Sequence, residues 1–273
     1  MAGFSSPPQS TYKVTKHVDP STMISISKLM ESLGNKIPWF DSGADTVLVT
    51  DALGVIGHRV ACKLLEAGFP KVRVGVKDVA LAQHFEEKGA EVVRFDFDKP
   101  ETYKAAMRQV TYIYLAIPDH ENWESNFDRF LKVMATENIK HIVKMSIYHS
   151  FAPKHDPFSK VPLVKMHRET DDKLAKFTSN YTIIMASHFM SNPTVYQEER
   201  LRNEHRFIGA SLSKGIAYVS PNDVADVAVK AILHPEELKK KTLHITGAEV
   251  ITDEQVAAEL RYVIPLFARQ KEA

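Results

Sequence analysis

TVLVTDALGVIGHRVACKLLEAGFPKVRVGVKD, residues 46–78, holds the pattern that decides the fold. An apolar run, Val47-Leu48-Val49, meets a short glycine-containing turn. A helical spacing of Ile56, Val60 and Leu64 follows, stops at Gly68, and gives way to a second apolar run at Val72–Val76. Strand, tight turn, helix and strand in this order make a βαβ unit.

Outward from that unit the alternation continues. Strands are expected at 46–50, 72–76, 91–95, 111–115, 141–145 and 181–185. Helices are expected between them at 56–67, 79–88, 101–108, 122–137 and 164–177. Runs such as Ile113-Tyr114-Leu115 and Ile142-Val143 are continuously apolar, as strands covered on both faces are. The pattern predicts an α/β fold, a doubly wound parallel sheet of Rossmann type with right-handed crossovers. Beyond residue 190 the alternation breaks down. There Asn222–Leu233 and Asp253–Ile264 read as helices with acids in their first turns, with Thr242–Ile245 as a strand between them. We expect a Rossmann core at about 45–190 and a smaller α/β substrate-side region at about 190–273. Residues 1–44 stand apart as an extension with a short amphipathic helix at 22–33, expected to pack on the domain or on a partner. A Tyr12–Lys16 YxxxK lies in that extension, ahead of the first strand, and is read as chance.

The bulk numbers narrow the function classes. A net charge of +1 gives no basic field for nucleic acid or for an anionic membrane. No apolar run approaches the roughly 18 residues of a membrane span. One cysteine, Cys62, allows no internal disulfide, which suits the cytoplasm or another reducing compartment. Organelle targeting by residues 1–18, where there is no acid, stays open. The histidines show no metal-ligand spacing, so no metal is expected.

The turn Thr50-Asp51-Ala52-Leu53-Gly54-Val55-Ile56-Gly57 is the candidate phosphate cradle. The amino end of a helix offers free N–H groups and a favourable dipole to a dinucleotide's diphosphate. Glycines are needed where a Cβ would block the turn. Gly54 and Gly57 are present, but Asp51 stands where a third glycine is expected. A carboxylate about 4 Å from a phosphate charge costs on the order of 4 kcal/mol at an effective dielectric of 20, roughly a thousandfold in affinity. The side chain can turn away, or it can cap the helix and occupy the anion site itself. At the end of the second strand Lys77 precedes Asp78. A base there accommodates a ribose 2′-phosphate, so NADP(H) is preferred to NAD(H).

These motifs and their order resemble the NmrA-like family, atypical members of the short-chain dehydrogenase/reductase superfamily. TGATGxxG is similar to Thr50–Gly57, VRALVRD to Val72–Asp78, and GD-L-DDPESL to Phe95–Glu101. Asn126–Ile147, with Lys140-His141-Ile142-Val143-Lys144-Met145-Ser146, resembles NFIDAAKEAGVKHIVKLSS. His167–Leu174 is similar to HRxxEExL, Tyr181–Asn192 to YTILRPGFFMxN, and Ile216–Leu233 to IAYVDVRDVAxVAAxxL. The resemblance implies cofactor contacts from Thr50, Asp51, Leu53, Gly54, Val55, Ile56, Gly57, Lys77, Asp96, Phe97, Ala116, Ile117, Pro118 and Ser146. The crevice beyond the strand ends would gather Ala116–Pro118, Ser146, Tyr148 and Ser187-His188 near the nicotinamide.

Proton transfer falls to Tyr148, Lys165 or His167, and Ser146, Tyr148 and Lys165 are the candidate catalytic set. Isoflavone-reductase-like relatives use a lysine from the helix that Lys165 begins. His167 has an alternative reading as a packed helix residue. The chain departs from the family at Asp51, at Ile147 in place of a second serine, at Met185-Ala186 in place of Arg-Pro, and in lacking YxxxK on the expected helix. Two functions follow as expectations. One is an NADP(H)-dependent oxidoreductase of a small carbonyl or enone. The other is a non-catalytic dinucleotide-binding regulator or structural subunit, with a protein partner or self-association through the amino-terminal extension.

Overall fold

A computed structural model describes residues 45–119, 121–151, 157–204, 206–209 and 214–269, together with Glu31. The expected extension at 1–44, its helix and its YxxxK lie outside the described residues, Glu31 excepted. Seven strands form one parallel sheet: β1 (Thr46–Val49), β2 (Lys71–Val76), β3 (Glu91–Arg94), β4 (Tyr112–Leu115), β5 (His141–Ile147), β6 (Tyr181–Ala186) and β7 (Lys241–Ile245). Their spatial order is β3-β2-β1-β4-β5-β6-β7. The order reverses between β1 and β4, where Val47 faces Val72 on one side and Tyr112 on the other. A sheet of this kind opens a crevice at that reversal, beyond the carboxyl ends of its strands.

Helices cover both faces. On one side α1 (Gly57–Glu66) packs against α8 (Pro221–Leu233), and Val60, Leu64, Val224, Val227, Ala228 and Ile232 are buried in a single cluster with Val47 and Val49. On the other side α3 (Tyr103–Met107), α4 (Trp123–Met134) and α5 (Pro162–Phe177) bury Tyr103, Phe127, Phe130, Met166 and Leu174 against Leu48, Ile113 and Ile142. Each such side chain contributes roughly 1.5–3 kcal/mol by leaving water. Cover on both faces explains why β1 and β4 are buried at every position. The short helices α2 (Gln83–Glu86), α6 (Asn192–Val195), α7 (Glu198–Asn203) and α9 (Pro235–Leu238) fill connections, and α10 (Asp253–Arg269) ends the described chain. From the region beyond residue 190, α8 and β7 join the main sheet and its cover.

Local chemistry sets the boundaries. Gly68, at φ 71°, ends α1: its N–H donates to Leu65 O and the Phe69 N–H to Leu64 O. Pro162 at the first turn starts α5 two residues before the expected 164. Ser220 caps α8 by accepting from the Asn222 N–H at 3.2 Å. The helices expected at 79–88 and 101–108 are each a 3-10 turn leading into a short α-helix. The Asp78 carboxylate caps the first of these turns, and Pro100 opens the second.

Candidate functional site

The turn between β1 and α1 lies at the sheet reversal. The buried Thr50 hydroxyl accepts from the Ala116 N–H at 2.9 Å and lies 3.2 Å from Tyr114 O, which ties the end of β1 to the end of β4. The Gly54 N–H donates to Asp51 O at 2.8 Å, closing the turn. The N–H groups of Leu53, Val55 and Ile56 have no protein acceptor among the described residues, and no side chain caps α1. A Cβ on Gly57 would collide with the Asp51 carbonyl, so the close approach here needs glycine. The cradle therefore fits a diphosphate in its amides and in Gly57.

Asp51 is the exception within it. Its φ of 51° is left-handed, a conformation that aspartate tolerates better than most residues. The residue is exposed as a whole, yet its carboxylate folds inward over Gly54, whose added Cβ would lie 2.6 Å from Asp51 Cγ. Burial against the cleft raises its pKa above the ordinary carboxylate value, and the Lys77 cation only partly opposes this. The carboxylate does not cap α1; it stands beside the cradle.

A cleft of about 230 Å³ opens at this point, walled by Val55, Ile56, Met145, Phe189, Val195 and Tyr196. Its polar lining is Asp51, Tyr114, Ser191 and Asn192. The volume lies below the roughly 300–1,000 Å³ usual for ligand pockets, so it has room for part of a dinucleotide rather than all of one. Tyr114 is fully buried, and its hydroxyl has no hydrogen-bond partner among the described residues. Burial, with the Asp51 carboxylate nearby, pushes its pKa far up and keeps it a neutral donor.

At the end of β2, Lys77 is exposed and reaches Asp98 at 3.1 Å and Asp96 at 3.4 Å. Its hydrogen bond to Asp98 raises its pKa. The Asp78 carboxylate is spent on the Ala80 N–H at 3.0 Å. Arg73 is buried and serves the fold, holding Glu91 at 2.8 Å and the carbonyls of Ala106 and Arg108. Asp96 accepts from the Asp98 N–H at 3.0 Å, while the Phe97 ring is packed in the core. Ala116 lines the cleft; the Ile117 side chain is buried in the opposite core, and Pro118 is half-buried and absent from the cleft lining.

The carboxyl half of β5 carries a buried polar network. Lys144 Nζ lies 2.5 Å from Asp171 Oδ1, and the Ser146 hydroxyl donates to Asp171 Oδ2 at 2.5 Å and contacts Ser150 Oγ at 3.3 Å. Lys144 and Ser146 are fully buried. Ser146, expected at the nicotinamide, is thus bound into the β5–α5 interface. Lys165 points to solvent beside Glu169, 3.8 Å away, and is absent from the cleft lining. His167 is buried, with its pKa pushed down to about 2 by desolvation and the Lys144 cation, which makes it a packed neutral imidazole. Tyr148 is half-buried at the end of β5, its ring edge-on to His244 at 5.9 Å.

The structure brings Asp51, Val55, Ile56 and Ala116 together, as the sequence pattern expects. It adds Tyr114, Phe189, Ser191 and Asn192 to the cleft and Asp171 to the β5 network, none of which that pattern singled out as site residues. A tyrosine in the middle of a buried strand, Tyr112-Ile113-Tyr114-Leu115, was the available signal for Tyr114, because a buried phenol needs a partner. Among the described residues no three His, Cys, Asp or Glu side chains converge as a metal site, and no helix is long and apolar enough to cross a membrane.

Comparison with known proteins agrees with this fold. A reductase from Streptomyces griseus, (4-alkanoyl-5-oxo-2,5-dihydrofuran-3-yl)methyl phosphate reductase, is 27% identical over 223 residues, covering 80% of this chain and 73% of the relative. The photosystem II assembly factor Ycf39 of Synechocystis is 24% identical over 211 residues, 74% of this chain and 62% of that one. Among solved structures, an NADPH-dependent quinone oxidoreductase from Escherichia coli complexed with NADPH superimposes with a TM-score of 0.67 at 22% identity, covering 80% of this chain and 75% of that one. These neighbours bear out the Rossmann-type fold read from the motifs. A family model described as NAD(P)H-binding matches residues 52–235, two thirds of the sequence, and the chain belongs to that family.

Proposed function

We propose that the protein binds NADP(H) at the β1–β4 crevice and is an oxidoreductase of a small, fairly apolar carbonyl or enone. The observation that carries this reading is the cleft at the sheet reversal, where free amides opening α1 adjoin a pocket walled by Met145, Phe189 and Val195. Leu53, Gly54, Val55, Ile56 and Gly57 would hold the diphosphate. Lys77 would take the 2′-phosphate. The adjacent acid, Asp78, is already committed to its cap, which favours NADP(H) over NAD(H). Asp96, the Phe97 backbone and Ala116–Pro118 would flank the coenzyme.

The bound nicotinamide would supply the hydride. The chain's own part is to orient the substrate between Phe189 and Met145, to exclude water with Val195 and Tyr196, and to deliver a proton from Tyr148 at the end of β5. Ser146 and Lys165 belong to the catalytic set by resemblance, with Ser146 acting through the Asp171 network.

A second reading has its own support. The Ser146 hydroxyl is engaged by Asp171, Lys165 faces solvent, and one relative is a photosystem II assembly factor. Together these favour a dinucleotide-binding regulator or structural subunit whose protein partner docks through the amino-terminal extension. On either reading the protein works in the cytoplasm or another reducing compartment, organelles included. Thermal shift with NADPH and NADH, followed by NADPH oxidation with a panel of quinones and enones, separates the two. Stabilisation with turnover supports the oxidoreductase; stabilisation with none supports the regulator. Silence with both coenzymes refutes coenzyme binding.

A further inference from the structure

Asp51 and Tyr114 line one cleft, a pairing that an ordinary phosphate cradle does not require. The left-handed backbone of Asp51 swings its carboxylate over Gly54, at the edge of the amides that open α1. Tyr114, on the adjacent strand, lines the same cleft with a fully buried hydroxyl that has no partner among the described residues. Buried hydroxyls are normally satisfied, so an unpaired donor in a cleft wall points to a ligand acceptor.

Few other charges reach this corner. Lys77 at the end of β2 is the cation that acts on Asp51, and it is held by Asp96 and Asp98. Arg59 of α1 is committed to Val55 O at 2.6 Å and Asn222 Oδ1 at 2.9 Å. The α6 side contributes Ser191 and Asn192, and the neighbouring turn Tyr196.

We propose that Asp51 and Tyr114 form a two-donor clamp for a phosphoryl oxygen, and that coenzyme binding takes up one proton onto the Asp51 carboxylate. This rests on the coenzyme reading above. Ionised, Asp51 repels the diphosphate. Protonated, it becomes an O–H donor beside Tyr114, and no charge is left opposing the ligand. The raised pKa of Asp51 in the free protein is in the same direction, and an anionic ligand raises it further. The proton comes from solvent and returns there on release. Affinity therefore strengthens as pH falls, by up to tenfold per unit between the bound and free pKa values, and is flat on either side.

The test is NADPH titration by calorimetry between pH 5.5 and 8. It is run on the full chain, on Asp51→Asn and on Tyr114→Phe, in two buffers of different ionisation enthalpy. The coenzyme's own 2′-phosphate titrates near pH 6, so Asp51→Asn is the reference. The proposal expects the ratio of wild-type to Asp51→Asn dissociation constants to shrink toward one as pH falls, with proton uptake absent in Asp51→Asn. It expects Tyr114→Phe to bind about tenfold more weakly with its melting temperature kept, as for one lost hydrogen bond. A ratio that does not change with pH, or unchanged affinity in Tyr114→Phe, overturns the clamp and leaves coenzyme binding intact. No binding by any of the three proteins at any pH overturns both.

Discussion

Asp171→Ala puts the greatest stress on the structure for the smallest change. The carboxylate holds Lys144 Nζ at 2.5 Å and the Ser146 hydroxyl at 2.5 Å, with the Lys144 side chain fully buried and that of Asp171 6% exposed. Without it, among the described residues, the ammonium keeps the Met145 carbonyl at 3.4 Å, and Ser146 keeps Ser150. Breaking a buried pair by removing one partner costs about 3–5 kcal/mol, because the remaining charge is left unpaired in the interior. At about 2–4 °C per kcal/mol for a chain of this size, the melting temperature falls by roughly 6–20 °C. The double variant Lys144→Met/Asp171→Leu removes both charges and keeps the volume. Such replacements of a whole pair are near neutral, so most of the lost stability returns. Urea unfolding followed by circular dichroism measures the wild type, Asp171→Ala and the double variant. A loss below about 1 kcal/mol in Asp171→Ala, or a double variant as unstable as the single one, refutes the buried pair as the anchor of β5 on α5.

Further outcomes are expected at other positions. Gly57→Ala drives a Cβ into the Asp51 carbonyl; the structure loses about 1–3 kcal/mol, and stabilisation by NADPH disappears, read by thermal shift. Lys77→Ala reduces the preference for NADPH over NADH about tenfold in the ratio of dissociation constants, the worth of one exposed charge on a phosphate. Acid lowers stability through His141 and His167, whose buried rings are pushed down to about 4 and about 2. Their folded pKa values lie below the unfolded value near 6.5, so the unfolded chain binds more protons. Stability is full above pH 6.5 and falls below it by up to about 1.4 kcal/mol per unit for each histidine. His167→Leu lessens that slope in urea midpoints taken from pH 7 to 5; an unchanged slope contradicts its burial.

The sheet was legible because its signal is repetitive. Apolar runs separated by helical spacing placed β1, β2, β4, β5 and β6 within a residue or two, since strands covered on both faces admit little else. Helix starts were less legible where a local residue decides them, as Pro162 does for α5 and the Asp78 cap does ahead of α2. The β1–α1 turn was readable down to its anomalous aspartate; the backbone requires glycine at Gly57, where a Cβ would meet the Asp51 carbonyl, whereas a Cβ on Gly54 would meet the Asp51 side chain. The direction in which Asp51 points depends on a left-handed φ that residue identity does not dictate. The side chains of β5 were the hardest. Lys144 looked like one more strand residue and Ser146 like a crevice hydroxyl; only their three-dimensional neighbour Asp171, 27 residues from Lys144, shows that both face the α5 interface. Lys165 shares a helix with that aspartate, yet lies on its solvent face.

Coenzyme seated on the amides of α1 is the claim from which the rest follows, and a crystal structure of the protein grown with saturating NADPH tests it most directly. The account expects diphosphate density against the N–H groups of Val55 and Ile56, with the adenosine end beside Lys77. Density showing that groove empty, or filled by the Asp51 carboxylate with the coenzyme elsewhere or absent, would contradict it.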